Sequence, residues 1–134
     1  MARTRTDALT TVSATLPNAA NTVNSNGIDL GATTPFPTTE SVQVKLSIGA
    51  ATGANNKNIN IRVMDSADNT TFANVAVIAN PVLRSVDADG SGHSASNVII
   101  SLPTTIKRYV RATALGESNG GDSSDGTFAI TLLY

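Results

Sequence analysis

Six residues between two apolar runs, Asp87-Ala88-Asp89-Gly90-Ser91-Gly92, carry the residue types that bind a hard cation. Asp at positions one and three, Ser at five and Gly at six match the first half of a calcium loop, where side-chain oxygens surround the ion and Gly makes the sharp turn. The twelfth position is Val98, where such a loop needs a bidentate Glu, and both flanks read as strand. The helix–loop–helix calcium motif therefore fails. Asp87, Asp89 and Ser91 stay as candidate ligands of a differently built calcium site, set against the simpler account that Asp and Gly serve the turn itself. The pairs Asp65 with Asp68 and Asp122 with Asp125 fall to the same account.

His93 is the only histidine. A nucleophilic triad needs a base beside a Ser and a carboxylate to orient it. Ser91, Ser94 and Asp89 are close in sequence, but a polar loop places such neighbours together by chance, so a solvated loop histidine is expected. Nothing singles out a catalytic pair among the ten acidic residues. No glycine loop precedes a helix, so no phosphate cradle is expected. Taken together, the chain is expected to have no enzymatic activity and no cofactor.

The one basic cluster is Lys107, Arg108 and Arg111 around Tyr109. Such a group can be ordinary strand surface, or a patch that meets acidic groups on a partner through bidentate arginine pairs. The scarcity of charge elsewhere favours the patch. Phe36 lies between Pro35 and Pro37. It is either a core plug under a loop, as buried aromatics usually are, or an exposed anchor for a partner. Arg3 and Arg5 lie in a polar N-terminal stretch that is either frayed or ordered on a neighbouring subunit.

These residues belong to a chain of 134 residues with a formal net charge of -1, long enough for one domain with a real core. Charged residues make up 14%, well under the roughly 25% of an average soluble protein. Thr, Asn and Ser must therefore supply most of the polar surface, which suits strands and turns and suits a protein packed against partners. Nucleic acid is not an expected partner, because phosphate neutralisation needs clustered Lys and Arg. No apolar run approaches the ~20 residues that span a bilayer, so no membrane is expected. The arginines of the N-terminus are followed by no apolar stretch, unlike a secretory signal. The absence of cysteine excludes disulfides and thiolate metal sites.

The positioning elements are strands. Asn58 to Ile78 reads NINIRVMDSADNTTFANVAVI. Ile59, Ile61 and Val63 share one face at period two, the signature of a half-buried strand. Asp65 to Thr70 then supplies turn residues, and the apolar run Phe72 to Ile78 makes a second strand, so a hairpin is expected at the centre of the sheet structure. Val42, Val44, Leu46 and Ile48 alternate in the same way, as do Phe128, Ile130, Leu132 and Tyr134. Shorter runs at Val12 to Leu16, Ile28 to Leu30, Pro81 to Val86, Val98 to Leu102 and Ile106 to Leu115 bring the total to about eight strands. No stretch sustains a helical period. The expected fold is all-β, an antiparallel jelly roll or β-sandwich, with residues 1–11 as an extended arm and 12–134 as a single domain.

Three stretches together resemble the small jelly-roll cement, or decoration, proteins of tailed bacteriophage capsids. They are SATLPNAANTVNSNGIDLG at Ser13 to Gly31, INIRVMDSADNTTF at Ile59 to Phe72, and IKRYVRATAL with the terminal GTFAITLLY. The resemblance implies a structural virion protein, made in the host cytoplasm, that binds the outer capsid surface. It implies homodimers or homotrimers that bridge major capsid protein subunits. Arg3, Arg5, Phe36, Lys107, Arg108 and Arg111 are then candidate contact residues, and no catalytic residue is transferred. The strand-turn pattern DSADNTTF also resembles carbohydrate-binding jelly rolls of the discoidin kind, so a sugar- or receptor-binding module is the alternative. Stacking on a sugar ring needs exposed aromatics, and the chain has three Phe, two Tyr and no Trp.

Overall fold

A computed structural model of the chain describes residues 10–18, 21–30, 43–50, 58–75, 78, 81–86, 95–103, 105–116 and 124–133. Every regular element among them is a strand. In chain order these are β1 (Thr10–Thr15), β2 (Thr22–Asn24), β3 (Ile28–Asp29), β4 (Gln43–Ile48), β5 (Asn58–Ser66), β6 (Ala73–Asn74), β7 (Leu83–Val86), β8 (Ser96–Ser101), β9 (Tyr109–Gly116) and β10 (Thr127–Leu133).

The strands form two antiparallel sheets. One runs β1-β10-β4-β8; the other runs β2-β9-β5-β6, with β3 also paired to β9 and β7 also paired to β5. The short strands share lines. β2 faces Thr113 to Leu115 of β9 and β3 faces Tyr109 and Val110, so the two follow one edge of β9. β6 and β7 divide the edge of β5 in the same way, at Met64 and Asp65 and at Asn58 to Ile61. Ten strands thus occupy eight positions, four in each sheet. The expected β-sandwich of about eight strands is the fold.

Alternation decides which way each strand faces. Val44, Leu46 and Ile48 of β4, Ile59, Ile61 and Val63 of β5, Val110, Ala112 and Ala114 of β9, and Phe128, Ile130 and Leu132 of β10 are all buried in one core between the sheets. Fully burying such an aliphatic or aromatic side chain is worth about 1.5–3 kcal/mol. A slip of one residue in any of these strands would turn its whole apolar set to water, so their pairing is strongly specified. β10 lies between β1 and β4.

Several boundaries differ from the sequence expectation. β1 begins at Thr10 and pairs with Leu132 there, inside the stretch expected to be arm. The second strand of the central hairpin is only Ala73–Asn74, both exposed. It cannot run on to Ile78 as one full partner of β5, because β7 occupies the remaining edge of that strand. Asp65 and Ser66, expected in the turn, end β5 and are buried. The turn proper begins at Ala67 and includes Asn69 at φ 59°, a left-handed conformation that Asn adopts more readily than most residues. Ile106, expected to start β9, precedes it. It is fully buried, and its N–H donates to the Pro103 carbonyl at 3.1 Å, so it plugs one end of the core from a turn.

Candidate functional site: an arginine-lined groove on the six-stranded sheet

The same alternation that buries Ile61 and Val63 turns Arg62 and Met64 to the face of the six-stranded sheet away from the core. On β9 it turns Arg111, Thr113 and Leu115 to that face. The register sets Arg62 opposite Thr113 and Met64 opposite Arg111. Arg62 and Arg111 are therefore diagonal neighbours on adjacent strands, with Cβ atoms roughly 7–8 Å apart. β2 adds Asn24 opposite Thr113 and Thr22 opposite Leu115. β6 adds Asn74 opposite Met64. These eight side chains line an open groove of about 250 Å³.

The groove is held by polar and stacking contacts. Thr113 is buried, and its hydroxyl donates to Asn24 Oδ1 at 2.8 Å, with Met64 Sδ at 3.1 Å. Asn24 is followed by Ser25, whose N–H donates to the Ala112 carbonyl at 2.9 Å and whose hydroxyl accepts the Ala112 N–H at 3.0 Å. β2 is thereby tied to β9 beyond its own end. The Arg111 guanidinium lies over the Phe72 ring. Phe72 in turn is crowded by Gly27: a Cβ there would overlap the Asn69 side chain and stand 3.3 Å from the ring. The glycine lets the link between β2 and β3 close against the β5–β6 turn.

Both arginines are incompletely satisfied. Arg62 and Arg111 are each half-buried, and each has its Nε shielded from water with no hydrogen-bond partner. Desolvation holds the Arg111 guanidinium below its ordinary pKa, although an arginine stays charged at any physiological pH. A buried N–H without an acceptor costs about 1–3 kcal/mol, and among the described residues no carboxylate lines the groove to relieve it. The described lining holds no imidazole, amine or thiol either, and so none of the usual general bases. What it can do chemically is bind an anion.

The sequence cluster Lys107, Arg108 and Arg111 divides into three separate environments. Arg111 belongs to the groove. Arg108 makes a bidentate pair with Asp29, Nε to Oδ1 at 2.8 Å and Nη2 to Oδ2 at 2.9 Å, and also lies over the Tyr109 ring at 5.2 Å. The hydrogen bonds and charge of Asp29 raise its pKa. Lys107 is exposed, and its backbone N–H donates to the buried Asp65 carboxylate at 3.1 Å. Asp65 and Asp68 do not combine: the Asp68 carboxylate accepts the amides of Thr70 and Thr71, both at 2.9 Å, and the Ser66 hydroxyl at 2.7 Å. Among the described residues no three His, Cys, Asp or Glu side chains gather as a metal site. Arg3, Arg5, Phe36, Asp87, Asp89, Ser91, His93 and Asp122 lie outside the described residues.

Sequence reasoning missed Arg62. The alternation of Ile59, Ile61 and Val63 carries only that Arg62 lies on the opposite face of the strand. The signal that could have flagged it is a cation and Met64 on one face of a strand expected to be central, where both outer neighbours are other strands. No family model matches this chain, and no curated protein matches its sequence.

Proposed function

We propose that this protein is a structural virion protein, a capsid cement protein that binds the outside of a tailed-phage shell and stabilises it by bridging major capsid protein subunits. The observation that carries this reading is the groove, where Arg62 and Arg111 keep Nε donors unpaired in a place lined for binding rather than for proton transfer. A surface of that kind is completed by a partner. The strand order supports the finer fold assignment. β1-β10-β4-β8 faces β2/β3-β9-β5-β6/β7, and the chain crosses between the sheets at most connections, as the two Greek keys of a jelly roll require. Strong attachment then follows from multivalency, since modest contacts made by linked copies act together.

The outer face of the four-stranded sheet supports the same reading. By register it presents Thr11, Ser13, Thr131, Lys45 and Ile99, and Lys45 is its one charged side chain among the described residues. Such a face can approach another protein with little desolvation of charge. The alternative, a carbohydrate- or receptor-binding module, calls for an aromatic face open to a sugar ring. Of the described aromatic residues, Phe128 is in the core, Phe72 faces Arg111 and Tyr109 faces Arg108.

Co-sedimentation with tailed-phage capsids assembled without this chain tests the proposal. The protein should pellet with mature shells, remain in solution with dispersed capsid subunits, and raise the temperature at which shells rupture. Light scattering should report a dimer or trimer, and removal of Met1 to Asp7 should weaken shell binding with the fold intact. Failure to pellet with shells, together with a clear hit on a glycan array, would replace this function with the alternative.

A further inference from the structure

We infer that the groove between β2, β9, β5 and β6 receives the carboxylate of an Asp or Glu side chain from the partner protein, with Arg62 and Arg111 both donating to it. This deepens the capsid-binding reading and rests on it for the partner's identity. Three observations converge on this ligand. The Nε atoms of both arginines are buried and unpaired, so each guanidinium holds hydrogen-bonding capacity that the free fold leaves unused. Among the described residues no acidic side chain lines the groove, and Asp29, at the edge of the same sheet, is engaged by Arg108. The remaining lining, Met64 and Leu115 with Thr22, Asn24 and Asn74, suits a methylene stem ending in a single charge.

Size and charge select among anions. About 250 Å³ is below the roughly 300–1,000 Å³ of pockets for drug-sized ligands, so a single side chain fits better than an oligosaccharide or a nucleotide. A guanidinium fork matches phosphate as well as carboxylate, but the side chains of a protein partner supply carboxylates. The lining offers two guanidinium groups, whose planar forks match a carboxylate. In the chain by itself the groove brings two like charges together on neighbouring strands, each with an unsatisfied Nε donor. That combination weakens the free fold and is relieved on binding, which gives the arginines a thermodynamic signature that a purely structural role lacks.

The test uses the full chain, with the Nε–Hε resonances of Arg62 and Arg111 followed by NMR. N-acetyl-glutamate amide is the probe, and inorganic phosphate and N-acetylneuraminate are the comparison arms. Both Hε signals should move together and downfield as the probe is added. In Arg62→Met the Arg111 signal should cease to respond, and in Arg111→Met the Arg62 signal should do the same. Each variant should bind mature capsids roughly tenfold or more weakly, the loss expected of one charge-assisted contact, while its melting temperature holds or rises. If wild type and both variants bind shells equally, the groove assignment is overturned and the capsid reading stands. If the signals respond to the probe but wild type does not bind shells, the carboxylate site stands and the capsid reading falls. A stronger response to neuraminate or phosphate than to the probe, or a fall in melting temperature in both variants, overturns the assignment.

Discussion

The guanidinium carbon of Arg111 sits 4.0 Å from the centroid of the Phe72 ring. The two residues come from different strand neighbourhoods, one from β9 and one from the turn after β5, and the contact fixes a wall of the groove. A cation over a partly shielded ring is worth about 0.5–1 kcal/mol. A double-mutant cycle with Phe72→Leu and Arg111→Met, read by urea denaturation, should return a coupling of about that size. Under the proposed function, Phe72→Leu alone should also weaken capsid binding, because Arg111 loses the surface that orients it.

Asp65 is a buried carboxylate whose Oδ2 accepts the Lys107 N–H at 3.1 Å. It anchors the segment that leads from the Ile106 plug into β9. Asp65→Ala leaves that amide without an acceptor and should destabilise the fold by about 1–3 kcal/mol. Asp65→Asn keeps an acceptor oxygen in place and should cost less than Asp65→Ala. Equilibrium urea unfolding of the two variants checks the order.

The Thr71 amide, the Ser66 hydroxyl and the Thr70 amide lower the Asp68 pKa from 3.8 to about 2. The folded-state value lies below the unfolded one, so the ionised carboxylate favours the fold. Its contribution is fully present above pH 3.8 and is lost as the pH falls from there through about 2. An NMR titration of the Asp68 carboxyl should find its midpoint near 2. Asp68→Asn should flatten the stability profile over that window, whereas a midpoint at the ordinary Asp value would show that the turn does not hold the carboxylate in solution.

Ile99 is the exposed large hydrophobic side chain of the described surface, 53% accessible, and it lies on β8 at one end of the four-stranded sheet. β8 carries no charged residue, so it lacks a common device by which edge strands discourage pairing with another chain. Ile99→Lys should leave stability within about 0.5 kcal/mol of wild type and should shift the light-scattering mass toward monomer. An unchanged mass would show that β8 does not carry the proposed self-association.

Much of the fold was legible in the chain. Valine, isoleucine and leucine at every second position in β4, β5 and β10 dictated which residues would be buried. The stretch Asp65 to Thr70 announced the reversal after β5, although the strand takes Asp65 and Ser66 before the turn begins. The site was less legible. Lys107, Arg108 and Arg111 are close in sequence yet have separate surroundings: Asp29 engages Arg108 and the sheet face takes Arg111. Arg62 is distant in sequence and is the residue that joins Arg111.

By itself, then, the sequence determined strand identity and the inward face of each strand, because side-chain alternation is a local property of an extended backbone and the cost of exposing apolar groups is the same wherever the strand lies. Only the tertiary structure decided that β5 lies beside β9 with Arg62 opposite Thr113, and so that two cations share one groove. That register is set by the packing of all the strands around one core, and no local pattern in either strand encodes it.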